Sequence, residues 1–400
     1  MIKSNRTLYN EKFTQEKYNA FLKDINTTFN YDVRFKISET PVFIPKELKA
    51  KLVEACDEIM ATINQPNFKE LTKDAFFDKN TIVPNEDAQA KFIQIDFGIC
   101  TDENGNLTPK LIELQGFPSL YGFQELLGRM YRKHFGDAIP EGYSQHLNGM
   151  STEEYVELLR TEIVGDTNPK QVILLELEPH EQATAVDFYA TEALLGIKTI
   201  CITDLKKRGK QLFYENEAGE DVHILKIYNR IIFDELHQRE DLEGEFKFQD
   251  EVDVEWIGHP NWFFRISKYM MPLLKSKYVP KTFLLEKLKS IPTDLENYVL
   301  KPLFSFAGAG VHIHVTPEII AGLKNPSNYI LQEKVAYAPI IETMDVPAKC
   351  EVRMMMVHNS KTNKTEIASN LIRVSKGEMV GVKYNRDKTW VGGSTGFFEN

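Results

Sequence analysis

The chain has 400 residues, of which 42% are hydrophobic and 26% charged, which is typical of a globular protein with two or three structural units. Its net charge of −10 argues against nucleic acid or an anionic membrane as the main partner. We find no apolar run long enough for a membrane-spanning helix and no secretory signal at the start of the sequence. The four cysteines are widely spaced and form no CxxC pair, so we expect a reducing, cytoplasmic location.

The first 150 residues are predicted to combine helices with one β-hairpin. Helical periodicity is clear at residues 46–64, and further helices are predicted at 122–135 and from Ser151 or Thr152 onward. Between them, apolar strands are predicted at 92–100 and 110–114. The turn that joins them contains Asn104 and Gly105, a strong hairpin signal.

The hairpin carries a candidate metal site. Strand alternation places Glu113 and Gln115 on one face, and pairing of the strands brings Asp96 beside them. Two carboxylates and an amide oxygen are ligands that suit Mg²⁺. The alternative is that both acids are ordinary solvated strand residues.

Residues 151–260 are predicted to form a small α/β domain. A buried strand at 172–177, a helix at 181–195 that ends at Gly196, and a strand at 197–203 form a βαβ unit, which favours a parallel sheet. No GxGxxG follows the first strand, so a dinucleotide-binding fingerprint is absent. Further strands are predicted at 212–214 and 222–228, before an acidic connector at 240–255.

Residues 261–400 hold a candidate phosphate-binding turn. After a predicted helix at 261–275, the strand at 298–302 ends in Lys301 and a small-residue loop containing Gly308, Ala309 and Gly310. Such a loop lets backbone N–H groups approach an anion, and the lysine adds a positive charge. The alternative is a simple hairpin turn, because a strand is predicted to resume at 313–315.

Two arginines lie within the apolar strands that follow. Strands are predicted at 329–335, 351–357 and 367–374, ahead of a glycine-rich tail at 392–396. Arginine is costly to bury without a partner. Arg353 and Arg373 are therefore either solvated on half-exposed strands or directed into an anion pocket.

Together these segments resemble ATP-grasp enzymes. Lys301 resembles the strand lysine of that family, residues 305–310 its flexible loop, residues 332–335 its hinge strand, and Lys268 its second phosphate-binding lysine. The two arginines resemble its lid arginines. Asp96 and the pair Glu113 and Gln115 resemble its metal ligands, although Gln115 stands where the family has Asn.

The order of the segments resembles the circularly permuted branch, and the glutathionylspermidine synthetase-like group in particular. In most ATP-grasp chains the metal ligands follow the lid arginines, whereas here they lie near the N-terminus. That group often has an arginine two residues before the first acid, where this chain has Gln94.

The resemblance implies a mixed α+β and α/β chain with a circularly permuted ATP-grasp fold and a small inserted α/β domain. A helical N-terminal region with the metal-binding hairpin would span 1–150, the small α/β domain 151–260, and the nucleotide-binding lid and core 261–400. The implied activity is that of an ATP- and Mg²⁺-dependent carboxylate–amine ligase acting through an acyl phosphate. Its substrates would be a small-molecule or peptide carboxylate and an amine acceptor. The alternatives are a nucleotide-binding protein without ligase activity and a kinase that stops at a phosphorylated product.

The resemblance assigns roles to individual side chains. Metal ligation is assigned to Asp96, Glu113 and Gln115, substrate contact to Ser119, and catalysis to Arg353 and Arg373. ATP binding is assigned to Lys268, Lys301, Ser305, Ala307, Gly308, Ala309, Gly310, Gln332, Glu333 and Val335.

Overall fold

The structure is a computed structural model that describes residues 3–76, 78, 81–239, 241–305, 308–380, 385 and 387–400. The α-helices in this part of the chain are α1 (Lys3–Lys12), α2 (Gln15–Thr28), α3 (Lys46–Ile63), α4 (Phe68–Leu71), α5 (Tyr121–Phe135), α6 (Thr152–Ile163), α7 (Ala185–Leu195), α8 (Phe233–His237), α9 (Trp262–Arg265) and α10 (Pro317–Ala321).

The strands are β1 (Val42–Ile44), β2 (Phe92–Thr101), β3 (Leu107–Gln115), β4 (Tyr143–Ser144), β5 (Val172–Glu176), β6 (Lys198–Cys201), β7 (Lys206–Arg208), β8 (Gln211–Glu215), β9 (Asp221–Ile224), β10 (Lys226–Asn229), β11 (Glu255–Ile257), β12 (Thr282–Leu284), β13 (Tyr298–Pro302), β14 (Tyr329–Glu333), β15 (Lys349–Asn359), β16 (Lys364–Ser375), β17 (Gly392–Ser394) and β18 (Gly396–Glu399). No helix in the described ranges is long and apolar enough to cross a membrane.

An antiparallel five-stranded sheet, here the central sheet, has the order β17-β16-β15-β2-β3. The predicted N-terminal hairpin forms β2 and β3, and the predicted C-terminal hairpin forms β15 and β16. The two hairpins meet where β2 pairs with β15. Segments from opposite ends of the chain thus build one surface.

The two faces of the central sheet differ in polarity because its strands alternate apolar and polar residues. One face is apolar and lies in the same buried cluster as Leu52 and Ile59 of α3. Each fully buried side chain of this kind contributes about 1.5–3 kcal/mol. The opposite face, here the charged face, carries acids, amides and arginines and holds the predicted site.

The central sheet's first hairpin differs in detail from its prediction. β3 begins at Leu107 rather than near residue 110 and includes Gln115. In the turn only Gly105 takes the left-handed conformation, at φ +78°. Asp102 stabilises this turn, because its Oδ1 accepts hydrogen bonds from the backbone N–H groups of Asn104 and Asn106.

A four-stranded parallel sheet, with the order β11-β10-β5-β6, contains the predicted βαβ unit. Helix α7 connects β5 to β6 and ends at Gly196, whose φ is +75°. The prediction of one strand over 222–228 is wrong. Two strands form instead, separated by Leu225, whose backbone N–H donates to the Gln171 carbonyl. The first, β9, belongs to the antiparallel sheet β7-β8-β9, and the second, β10, belongs to the parallel sheet.

A small antiparallel sheet, here the β13 sheet, has the order β12-β14-β13. The helix predicted at 261–275 is wrong, since α9 ends at Arg265 and a 3₁₀ segment containing Pro272 replaces its second half. The strand predicted at 313–315 is also wrong, because pairing is limited to a bridge between His312 and Leu300. The glycine-rich tail forms β17 and the start of β18.

Candidate functional site

The charged face brings the three predicted metal ligands together. Asp96 pairs directly with Glu113, and Gln94 pairs with Gln115, across the β2–β3 ladder. Directly opposed residues of an antiparallel pair project to the same side of the sheet. The convergence of these side chains therefore follows from the register in which β2 pairs with β3.

Asp96 is held by two arginines. Its Oδ1 accepts from Arg353 Nε at 2.6 Å, and its Oδ2 accepts from Arg353 Nη2 at 2.7 Å and from Arg373 Nη1 at 2.8 Å. Asp96 is 1% exposed and Arg353 4%. Burial raises the pKa of Asp96, but the two guanidinium groups outweigh it and hold the pKa well below its usual range. The alternative of a solvated strand residue is therefore wrong for Asp96 and for Arg353, which are both buried.

Gln94, which in the sequence is only a departure from the group that the chain resembles, connects Arg353 to Ser119, the predicted substrate contact. Its Oε1 accepts from Arg353 Nη1 at 2.9 Å and from Gln115 Nε2 at 2.7 Å. Its Nε2 donates to the Ser119 carbonyl at 2.6 Å. Ser119 therefore lies beside the charged face, just before the left-handed Leu120.

Glu351 and Tyr337 belong to the same network, and sequence reasoning missed both. Glu351 is 6% exposed, lies 3.4 Å from Arg373 Nη1, and accepts a hydrogen bond from the Tyr337 hydroxyl. Burial raises the pKa of Glu351, although Arg373 opposes the shift. The missed signal is alternation, because Glu351 precedes Arg353 by two positions and so shares its face.

The Tyr337 ring occupies space that Gly98 leaves open on the charged face. A Cβ atom on Gly98 would lie 2.7 Å from Tyr337 Cε1. The next residue, Ala338, donates its backbone N–H to the Ile99 carbonyl at 2.8 Å. The segment that follows β14 is thereby packed on β2.

A β-bulge in β3 lies where the β13 sheet contacts the central sheet. The β2–β3 register shifts after Asp96, which leaves Ile112 as an extra residue in β3. Lys301 Nζ donates to the Ile112 carbonyl at 2.9 Å, and Gln332 Nε2 donates to the Leu111 carbonyl at 3.2 Å. Burial lowers the pKa of Lys301 to about 8, with Glu113 opposing the shift and Lys268 adding to it.

Lys268 and Ser305 complete this end of the site. Lys268 Nζ donates to the Ser305 carbonyl at 2.8 Å and lies 3.4 Å from Glu113 Oε2. The buried Ser305 Oγ and Gln332 Oε1 have no hydrogen-bond partner among the described residues. Buried polar atoms are almost always bonded, so these two oxygens are acceptors that the described residues leave unsatisfied.

The small-residue loop reverses the chain. Gly308 and Gly310 adopt the left-handed conformation, with φ of +73° and +69°, and Ala309 is exposed. His312 then pairs with Leu300. The backbone on either side of the loop therefore pairs as the hairpin-turn alternative predicts. The predicted site residue Ala307 lies outside the described residues.

The residues of the predicted hinge point to different sides of β14. Gln332 faces the central sheet, whereas Glu333 Oε2 accepts from the Lys281 backbone N–H at 3.3 Å. Adjacent strand residues point to opposite faces, which explains the difference. Val335 follows the end of β14 at Glu333.

The donor set fits the predicted magnesium ion in part. No three His, Cys, Asp or Glu side chains of the described chain are grouped as a metal site would require. Mg²⁺ often binds one carboxylate together with substrate phosphates, and Glu113, whose side chain is 28% exposed, fits that role beside Gln115. Asp96 fits it poorly because arginines fill both of its oxygens, so its assignment stays a prediction that this arrangement disfavours.

The described residues form a mixed α/β structure with several sheets, which is consistent with a glutathione synthetase-like fold. The structure is similar to that of a glutathione synthetase-like effector from Globodera pallida in its apo form, with a TM-score of 0.62 and 14% identity over 96% of each chain. Identity this low shows the fold alone. No protein-family model and no curated protein sequence matches the chain. The predicted mixed α/β class is confirmed, while circular permutation and an inserted domain stay predictions.

Proposed function

We propose that this protein is an ATP- and Mg²⁺-dependent carboxylate–amine ligase of the circularly permuted ATP-grasp type. The observation that carries the proposal is the convergence of two lysines and two arginines on one mostly buried face. The basic side chains there are Lys268, Lys301, Arg353 and Arg373, and the acids beside them are Asp96, Glu113 and Glu351. Four cations against three acids, in a chain of net charge −10, favour an anionic ligand.

ATP would lie between the β13 sheet and the charged face. Lys268 and Lys301 would neutralise phosphate oxygens, and the backbone N–H groups of residues 308–310 would close over them. Gln332 Oε1, unpaired among the described residues, is available to accept a hydrogen bond from the base. In this placement ATP would contact side chains from both the β13 sheet and the central sheet.

The reaction would begin with transfer of the terminal phosphoryl group to the substrate carboxylate, which releases ADP. The amine then attacks the carbonyl carbon of the acyl phosphate, the C–O bond to phosphate breaks, and an amide and inorganic phosphate form. Arg373, which is partly exposed, would neutralise negative charge on the transferring phosphoryl group, and the substrate carboxylate would lie near Ser119. Mg²⁺ bound at Glu113 and Gln115 would supply charge neutralisation during phosphoryl transfer.

The test is to measure ADP and inorganic phosphate after adding amino acids, peptides or polyamines to the protein with MgATP. We expect substrate-dependent release of both products, and loss of turnover in Glu113→Ala with the fold intact. Glu103→Ala, an exposed acid in the turn of the same hairpin, is the matched control and should retain full turnover. Substantial turnover in Glu113→Ala would refute the metal assignment.

A nucleotide-binding protein without ligase activity is the second candidate. The pairing of Asp96 with two arginines favours it, because a predicted metal ligand is neutralised inside the protein. This candidate predicts that MgATP raises the unfolding temperature while no substrate mixture yields ADP. A kinase would instead form ADP without free phosphate.

A further inference from the structure

Each carboxylate that the structure describes on the charged face lies within reach of a basic side chain. Asp96 is bonded to Arg353 and Arg373, Glu351 lies 3.4 Å from Arg373, and Glu113 lies 3.4 Å from Lys268. The acids therefore already have charge partners within the protein.

Recruiting Asp96 to a divalent cation would require its oxygens to leave the arginines. Arg353 is 4% exposed and cannot turn to solvent. Removing the partner of a buried charge is strongly unfavourable, since the remaining charge stays desolvated and unpaired. A divalent cation placed beside the two guanidinium groups would also be repelled by their positive charges.

Asp96 instead determines where the arginine donors point. Its bidentate bond to Arg353 fixes one guanidinium plane, and its Oδ2 anchors Arg373 Nη1. Arg373 retains 30% side-chain exposure, so the arginine that Asp96 anchors is still partly accessible to a ligand.

We propose that the triphosphate of ATP is bound directly by the basic side chains of the charged face, and that Asp96 is a positioning residue for Arg353 and Arg373 rather than a ligand of a divalent cation. The proposal rests on the proposed nucleotide site and deepens it, because it assigns nucleotide affinity to the protein's own cations. Magnesium at Glu113 would then serve phosphoryl transfer without being needed for capture of the nucleotide.

The first test measures the unfolding temperature of the full chain with ATP and EDTA, ATP and excess MgCl₂, or tripolyphosphate and EDTA. We expect ATP in EDTA to raise it at least as much as ATP with Mg²⁺, and tripolyphosphate to raise it as well. A rise confined to the Mg²⁺ sample would overturn this proposal and leave the nucleotide site standing. No rise in any sample would refute the nucleotide site itself, and the proposed function with it.

The second test compares Asp96→Asn with Glu113→Gln, each of which removes one negative charge from the same face. For each variant, calorimetric titration gives the ratio of the ATP dissociation constants in EDTA and in Mg²⁺. A positioning role predicts that the ratio for Asp96→Asn stays within about twofold of the wild-type ratio, even where both dissociation constants change. Selective weakening by about tenfold or more in Mg²⁺ would identify Asp96 as a metal ligand.

If Asp96→Asn does not fold, Arg373→Lys provides the variant test. It keeps the charge but loses the planar fork that Asp96 orients. We expect it to weaken ATP binding equally in EDTA and Mg²⁺, and weakening in Mg²⁺ alone would contradict the proposal.

Discussion

The two ends of the charged face both contain basic side chains, but their polar groups are satisfied to different degrees. At the arginine end, formed by Asp96, Glu351, Arg353 and Arg373, the acids and guanidinium groups bond one another. At the lysine end, formed by Lys268, Lys301, Ser305 and Gln332, two buried oxygens lack partners among the described residues. The lysines there donate hydrogen bonds to the backbone carbonyls of Ser305 and Ile112.

This difference separates a preorganised part of the site from a part that is suited to receive a ligand. A satisfied network stabilises the apo protein and resists rearrangement. A buried cation with a lowered pKa and unpaired oxygens nearby costs stability that an anionic ligand can restore. Substitutions at the arginine end should therefore lower the free energy of unfolding, whereas substitutions at the lysine end should mainly weaken ligand binding.

The largest effect is expected for Arg353→Met. The variant removes three hydrogen bonds, to Asp96 and Gln94, and leaves Asp96 buried with Arg373 as its remaining basic partner. Breaking a buried pair should lower the free energy of unfolding by about 3–5 kcal/mol, measurable by urea denaturation. Arg34→Met, which removes an exposed arginine, is the control and should cost under about 1 kcal/mol. Similar losses in the two variants would contradict the arginine end's stabilising role.

Lys301→Met tests the lysine end through pH. The pKa of Lys301 is lowered from 10.5 to about 8, so between these values the unfolded chain binds more protons than the folded protein. Wild-type stability should therefore rise with pH across this window, by up to about 3 kcal/mol from this group. The methionine variant lacks the titrating group, so its stability relative to wild type should be highest at pH 7 and fall as pH approaches 10. Urea unfolding of both proteins at each pH gives the difference, and a constant difference would contradict the burial of a charged lysine.

The parts of the site that the sequence predicts are those set by local pattern. Alternation and a short turn bring Asp96, Glu113 and Gln115 to one face, because the two strands are neighbours in the chain. The helix α6 begins as expected, since Ser151 and Glu154 form a capping box. Here the interacting residues are close in sequence.

The parts that the sequence does not predict depend on pairing between distant segments. Asp96 and Arg353 are neighbours only because β2 pairs with β15 in one register, and no local signal determines it. The alternatives for Arg353 could therefore not be resolved beforehand. The bulge at Ile112, which presents a carbonyl to Lys301, is equally invisible in the sequence.

An intermediate effect is expected for Tyr337→Phe at the arginine end. Loss of the hydroxyl removes a hydrogen-bond partner from Glu351, which is buried. An unsatisfied buried acceptor should cost about 1–3 kcal/mol of unfolding free energy. In a Glu351→Gln background the same substitution should cost less, because the charged acceptor is gone. Equal costs in both backgrounds in urea denaturation would show that the hydroxyl does not act through Glu351.

The smallest effect on stability is expected for Ser305→Ala, which also deletes one hydroxyl but at the lysine end. Ser305 Oγ is buried and has no partner among the described residues, so its removal should change the free energy of unfolding by no more than about 0.5 kcal/mol. The increase in unfolding temperature with ATP should nevertheless shrink, because the variant lacks a hydroxyl that the ligand can bond. Urea denaturation without ligand and thermal unfolding with ATP measure the two effects separately. A loss as large as that of Tyr337→Phe would mean that this hydroxyl is already bonded in the free protein, and the distinction between a satisfied end and a receptive end would not hold.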